Sequence, residues 1–189
     1  SNKNRCWTGA SFSPGIGLYA RYGVRGIPHF VLISPEGKVV DSWSGYAKGW
    51  LKLKIKGSMA PKQPMRIEWK DGHKVVHHPR KKTEKMEVLT IRQVELTDSA
   101  TVLRVHARYI PNYWIRLDKA TFLMSDKGVN YPLLRSEGFA IDEQVFMPDS
   151  GEMDFTLYFA PLPKDTRWFD FSEGEHVEGG YYIEGIRLT

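Results

Sequence analysis

Two neighbouring stretches decide the fold: VLTIRQVEL at residues 88–96 and TVLRVHARY at residues 101–109. In the second, apolar and polar residues alternate with a period of two, which is typical of a strand with one buried face. The first is rich in β-branched residues and ends at the turn residues Thr97-Asp98-Ser99. Both stretches therefore predict strands, with a turn between them.

The same type of sequence extends over residues 66–189, where helical periodicity is almost absent. Turn or breaker residues separate the short apolar runs. Further strands are predicted at residues 121–124, 129–133, 154–159, 168–171 and 181–188. Seven or more short strands in about 120 residues are typical of an antiparallel β-sandwich, here predicted to be immunoglobulin-like.

Residues 1–57 have a different pattern, and the linker predicted at residues 58–65 contains two prolines. A short helix is expected at residues 15–21, followed by strands at 29–33 and 38–43 that a Pro-Glu-Gly turn joins. Apolar residues from Trp50 to Ile55 alternate with lysines, as in a strand, but their position after a hairpin favours a short amphipathic helix. The predicted fold is therefore mixed: an α/β segment followed by an all-β domain.

The stretch YGVRGIPHFVLISPEGKVV at residues 22–40 resembles the cis-proline segment of thioredoxin-like proteins, and most of all the TlpA-like thiol–disulfide oxidoreductases. The resemblance implies that residues 1–57 form the C-terminal part of a thioredoxin-like domain. It also implies that Ile27 and Pro28 form the loop that faces a bound substrate, with Pro28 in the cis form. Several segments of residues 66–189 are similar to an accessory domain of these envelope redoxins.

The family's catalytic Cys-x-x-Cys pair is missing, because Cys6 is the single cysteine of the chain. A lone thiol cannot form an internal disulfide or a dithiol redox pair. We therefore expect no catalytic residue in this chain, which is either a piece of a longer oxidoreductase or a degenerate protein. No cofactor is expected.

The resemblance further implies protein or small-molecule thiols and disulfides as partners, and the periplasm or cell envelope of a Gram-negative bacterium as location. Membrane association is expected only through a leader that this sequence lacks. The net charge of +5 indicates solubility and non-specific attraction, and no nucleic-acid partner is predicted from it. Half a thioredoxin sheet would leave an unpaired edge near residues 29–33, so these residues either pack on the second domain or form a homodimer.

A different class of function is a non-catalytic binding module, in which the β-sandwich recognises a protein or glycan of the envelope. Tyr113, Trp114, Trp168 and Phe169 offer a stacking surface for such a ligand, although core packing explains the same aromatic residues. An independent hydrolase would need a catalytic constellation that the sequence does not show.

The spacing of the histidines at residues 73–78 does not favour a metal site. His73 and His77 flank two valines after Asp71-Gly72, which predicts a hairpin, and strand spacing would place the two rings about 13 Å apart. No metal site is predicted.

Overall fold

The structure is a computed structural model that describes residues 28–82, 88–174 and 180–189. The chain divides into two compact units, Ser1–Ala60 and Pro61–Thr189. The helix predicted at residues 15–21, Cys6 and Ile27 lie outside the described residues. No helix in the described part of the chain has the length and apolar character needed to cross a membrane.

In the first unit, the described residues form a hairpin and a helix. Strand β1 (His29–Ile33) pairs antiparallel with β2 (Val39–Ser44), and helix α1 (Trp50–Met59) follows. The turn closes where the amide of Ser34 donates to the carbonyl of Lys38 at 2.8 Å. Helix α1 thus matches the helix favoured for residues 50–55, and it extends two residues into the stretch predicted as the linker.

The predicted thioredoxin-like α/β segment at residues 1–57 is wrong. The described part of the chain is nearly all β, with one short helix, and this is not a thioredoxin-like arrangement. The physical reason is that residues 29–44 encode a local hairpin through apolar strands around a Pro-Glu-Gly turn. A hairpin of this kind occurs in many folds, and therefore it does not specify the layers around it.

The second unit is an antiparallel β structure, as the sequence predicted for residues 66–189. Nine of its strands form one sheet in the order β13-β12-β8-β9-β11-β6-β5-β4-β3, and β7 pairs separately with β10. The strands are β3 (Arg66–Lys70), β4 (His73–His77), β5 (Leu89–Leu96), β6 (Thr101–Arg108), β7 (Trp114–Ile115), β8 (Phe122–Ser125), β9 (Asn130–Glu137), β10 (Val145–Phe146), β11 (Glu152–Phe159), β12 (Trp168–Ser172) and β13 (Tyr182–Arg187).

The nine-stranded sheet curls around a single core. Strand β9 belongs to both halves of the curl, because residues 130–132 pair with β8 and residues 133–137 pair with β11. Across the interior, the rings of Phe159 in β11 and Phe171 in β12 make an edge contact with centroids 6.1 Å apart. Apolar side chains from both halves are therefore buried in the same core. Burial of apolar surface is the main favourable contribution to the free energy of folding.

The two edges of this sheet differ. Beyond β13, the amide of Lys82 donates to the carbonyl of Glu184 at 2.9 Å and the amide of Arg187 donates to that of Arg80 at 2.7 Å. Gly185, with φ at +65°, permits this approach, since a Cβ there would lie 3.1 Å from the Cβ of Lys82. At the other edge, β3 pairs with β4 alone among the described strands.

Candidate binding site

The residues that the resemblance implied for substrate contact lie at the start of the first hairpin. Ile27 is outside the described residues, and Pro28 is exposed immediately before β1. The carbonyl of Pro28 accepts a hydrogen bond from the amide of Gly45 at 2.7 Å, which closes the open end of the hairpin. A substrate contact at Pro28 stays a prediction.

The four aromatic residues considered as a stacking surface are not brought together. Phe169 is fully buried in the core of the second unit, as the core-packing interpretation expected. Trp168 is partly buried in β12 and lines a cavity beside Arg80 and Arg187. Tyr113 and Trp114, by contrast, are 57% and 45% exposed. Only this pair has the exposure that a binding surface requires.

A third aromatic residue completes that surface. Strand β10 places Phe146 directly opposite Trp114, and Phe146 is 63% exposed. Side chains of directly opposed residues lie on the same side of an antiparallel pair. We call Tyr113, Trp114 and Phe146 the aromatic patch.

The backbone beneath the aromatic patch is well fixed. Ile115 and Val145, the next residues in the two strands, pack into or against the core. The amide of Met147 donates to the carbonyl of Tyr113 at 2.7 Å, and the Met147 side chain is buried. Burial of these neighbours determines which side chains remain outside, because successive residues of a strand point to opposite faces. The patch is therefore presented on a rigid support.

Polar groups lie beside the aromatic patch. The side-chain amide of Asn112 donates to Oδ1 of Asp149 at 3.0 Å, and both residues are exposed or nearly so. Asn112 adopts φ of +63°, a left-handed conformation that asparagine tolerates better than most residues. Within the described residues, Oδ1 of Asn112 and Oδ2 of Asp149 have no hydrogen-bond partner. The pair can therefore accept hydrogen bonds from a ligand.

The histidines lie where the hairpin prediction placed them. Strands β3 and β4 meet at Asp71-Gly72, and His73 and His77 are the two ends of β4. His77 Nε2 contacts Glu68 at 2.8 Å, whereas His73 Nδ1 lies 3.6 Å from Glu95. Among residues 28–82, 88–174 and 180–189, no group of three or more histidine, cysteine or acidic side chains could hold a metal ion.

Glu173, Glu152 and Asp154 each have partners within the protein. Glu173 is buried, and its carboxylate accepts hydrogen bonds from the backbone amides of Asp118 at 3.0 Å and Tyr181 at 2.9 Å. Glu152 and Asp154 flank His106, whose Nδ1 lies 2.8 Å from Asp154 and whose Nε2 lies 3.6 Å from Glu152. The arrangement holds two strands together, and no nucleophile lies beside it among the described contacts.

Sequence reasoning missed Phe146, Asn112 and Asp149. Their roles depend on the β7–β10 pairing, in which two strands of only two residues each join positions 30 and 32 residues apart in the sequence. The signals that could have drawn attention to them were the apolar Val145-Phe146-Met147 run and the Asn112-Tyr113-Trp114 cluster.

In comparisons with known proteins, no family model, curated protein or solved structure matches the chain. The fold defines an antiparallel β protein with a curled nine-stranded sheet. The resemblance to thioredoxin-like oxidoreductases is thus supported neither by the fold nor by a family match.

Proposed function

We propose that this chain is a non-catalytic binding module that recognises a glycan of the cell envelope through its aromatic patch. The observation that carries the proposal is the exposure of Trp114 and Phe146 side by side on β7 and β10. Contiguous exposed apolar surface on a soluble protein marks an interaction site. Single exposed aromatic residues need no such explanation.

The chemistry of a sugar suits this surface. A pyranose ring has an apolar face of C–H groups, which stacks on an aromatic ring, and an equatorial rim of hydroxyl groups. The aromatic patch offers the first partner, and the free oxygen atoms of Asn112 and Asp149 offer acceptors for the second. Binding sites commonly combine an aromatic surface with a few polar groups that fix orientation.

A protein partner fits less well. Stable protein–protein interfaces bury roughly 1,200–2,000 Å² in total, with a hydrophobic core inside a polar rim. The aromatic patch consists of two side chains on a two-stranded sheet and of Tyr113, the residue before β7. A small aromatic surface with adjacent acceptors is better matched to one or two sugar rings.

We propose further that the curled sheet is an immunoglobulin-like sandwich in which β7 and β10 support the ligand surface outside the nine-stranded sheet. The periplasm or cell envelope is the proposed location. The oxidoreductase function rested on the resemblance to thioredoxin-like proteins, and with that resemblance overturned the binding module is the function that we propose.

The test is binding of soluble oligosaccharides to the full chain, followed by amide chemical shifts in NMR. Chitooligosaccharides, cello-oligosaccharides and lipopolysaccharide core oligosaccharides are suitable probes. At least one should shift the amides of residues 112–116 and 145–149 in a saturable way. Trp114→Ala should weaken that binding about tenfold or more, because buried aromatic contacts dominate binding energies.

Trp69→Ala is the matched control, since Trp69 is also exposed, at 67%, but lies on β3. It should leave binding unchanged. Equal losses in the Trp114 and Trp69 variants, or no saturable shift with any of the oligosaccharides, would reject the glycan proposal. Saturable binding of an envelope protein at residues 112–116 instead would reassign the aromatic patch to a protein partner.

A further inference from the structure

A second surface of the Pro61–Thr189 unit is distinct from the aromatic patch in residues and chemistry. It is a cavity of about 600 Å³ on strands β4, β5, β6 and β11, with Gly138 after β9 at its rim. Four of its lining residues are basic: His77, His78, Arg92 and Arg104. We call it the basic cavity.

The acidic residues at the basic cavity already have cationic partners. Asp154 contacts Nδ1 of His106 at 2.8 Å and the guanidinium of Arg92 at 3.5 Å. Glu137 accepts a hydrogen bond from Arg135 and another, at 3.0 Å, from the hydroxyl of Tyr158. Their negative charge is therefore balanced by side chains of the protein.

Three lining side chains keep unused hydrogen-bonding groups. Within the described residues, the side chains of Arg104, Gln93 and His78 form no hydrogen bond or ion pair. Arg104 is exposed on β6, between the inward-facing residues Leu103 and Val105. Its guanidinium offers five N–H donors and no acceptor.

The backbone fixes His78 at the wall of the basic cavity. His78 has φ of +48°, and its amide donates to the carbonyl of Arg92 at 2.7 Å. The pKa of His78 is lowered, first by burial and then by the positive charges of His77, Arg92 and Arg66. The pKa of Glu137 is also lowered, mainly by hydrogen bonds from Arg135 and Tyr158, with a contribution from the charge of Arg104. In both cases the nearby positive charges lower the pKa in the same direction as the larger cause.

We propose that the basic cavity binds a small ligand through an oxyanion group: a carboxylate, phosphate or sulfate. Arg104 and Arg92 supply the guanidinium groups, whose planar N–H pairs match two oxygen atoms of such a group. Gln93 supplies a neutral donor. Arg92 can turn from Asp154 to the ligand, because His106 continues to hold that carboxylate.

Titration of the full chain with sodium phosphate, sodium sulfate and sodium glucuronate tests this site, with sodium chloride at equal ionic strength as reference. NMR of the Arg Nε–Hε groups and of the Gln93 amide reports binding directly. At least one of the three anions should produce saturable shifts at Arg92, Gln93 and Arg104, and the ranking among them identifies the source of the oxyanion.

Two variants sharpen the result. Arg104→Gln should weaken binding about tenfold or more, as expected for loss of a charge-assisted hydrogen bond. Glu137→Gln should strengthen it, because a negative charge leaves the rim. Arg167→Gln removes the same charge from an exposed arginine that pairs with Asp126, outside the cavity lining, and it should change nothing.

Equal weakening by Arg104→Gln and Arg167→Gln would mean non-specific attraction and would overturn the proposal. Shifts no larger than those with chloride would also overturn it. Either result leaves the aromatic patch and its glycan test untouched, because the two surfaces share no residue.

Discussion

On the inner face of the β6–β11 pair, apolar side chains contact one another, whereas the outer face of the same two strands carries polar and charged side chains. Leu103, Val105, Leu157 and Phe159 belong to the core. On the other face, three outward pairs follow in register: Arg104 with Thr156, His106 with Asp154, and Arg108 with Glu152. One alternating sequence therefore provides both a core and a polar surface.

The difference between the two faces shows which contacts fix the position of a side chain, and so the register of the two strands. A core residue touches many apolar neighbours, so no single contact decides its place. On the outer face, His106 depends on specific acidic partners on the opposite strand, although its side chain is only 9% exposed. Its Nε2 has no hydrogen-bond partner, with Glu152 at 3.6 Å. The outer face thus contains one buried polar side chain that a change of register would leave without its charged partners.

The largest expected effect on stability comes from a substitution on the inner face of the β6–β11 pair. Phe159→Ala removes a fully buried ring that contacts Phe171 across the core. We expect the free energy of unfolding to fall by about 3–5 kcal/mol, from lost burial and the cavity left behind. Urea denaturation followed by circular dichroism measures it.

The neighbouring outer-face variant Tyr158→Phe is the control for this change. It keeps the ring under Arg135 and removes only the hydroxyl that donates to Glu137. A loss in Tyr158→Phe as large as that in Phe159→Ala would contradict the division of the strand into two faces.

An intermediate effect is expected at His106. Replacing His106 with Ala removes a nearly buried ring and its contact with Asp154, and we expect a loss of about 1–3 kcal/mol. Asp154→Asn should cost less, since its side chain is 67% exposed and the amide oxygen can still accept from the ring. Thermal unfolding of the two variants in parallel gives the comparison. A harmless His106→Ala would show that the outer face lacks a specific polar contact.

The smallest expected effect is the pH dependence that His78 contributes. Because its pKa lies below the ordinary value of 6.5, the unfolded chain binds a proton more readily than the folded chain. Stability should therefore be complete above pH 6.5 and fall as the pH drops through the folded-state pKa. NMR titration of the imidazole measures the pKa, and His78→Gln should flatten this part of the stability profile. A pKa above 6.5 would contradict the positive potential of the basic cavity.

The strands of the second unit could be predicted because their information is local. Alternation at residues 101–109 and the turn at 97–99 gave β5 and β6 almost to the residue. At residues 22–40 the same kind of local information leads to a wrong fold. The hairpin there is predicted correctly, but it does not show that a larger α/β domain surrounds it.

The candidate sites depend on contacts distant in sequence. The sequence around Trp114 is compatible with either a core or a surface position. The pairing with β10 places Phe146 beside Trp114, and the burial of Ile115, the next residue of β7, leaves Trp114 on the outside. Likewise, the pairing of His106 with Asp154 joins residues 48 positions apart. The periodicity of two residues for a strand, or 3.6 for a helix, is a local property. It does not indicate which distant segments come together when the intervening loop closes.

The segment at Arg80–Lys82 limits how the Pro61–Thr189 unit can associate with itself. Its backbone bonds to Glu184 and Arg187 occupy the β13 margin of the sheet. Of the two margins of the nine-stranded sheet, this leaves the β3 margin as the one where, among the described strands, a strand from another molecule could be added. Growth of a fibril by sheet extension needs two free margins on every subunit. Pairing through β3 would consume the free margin of both molecules and end at a closed dimer, so this small segment would act as a chain terminator for sheet extension.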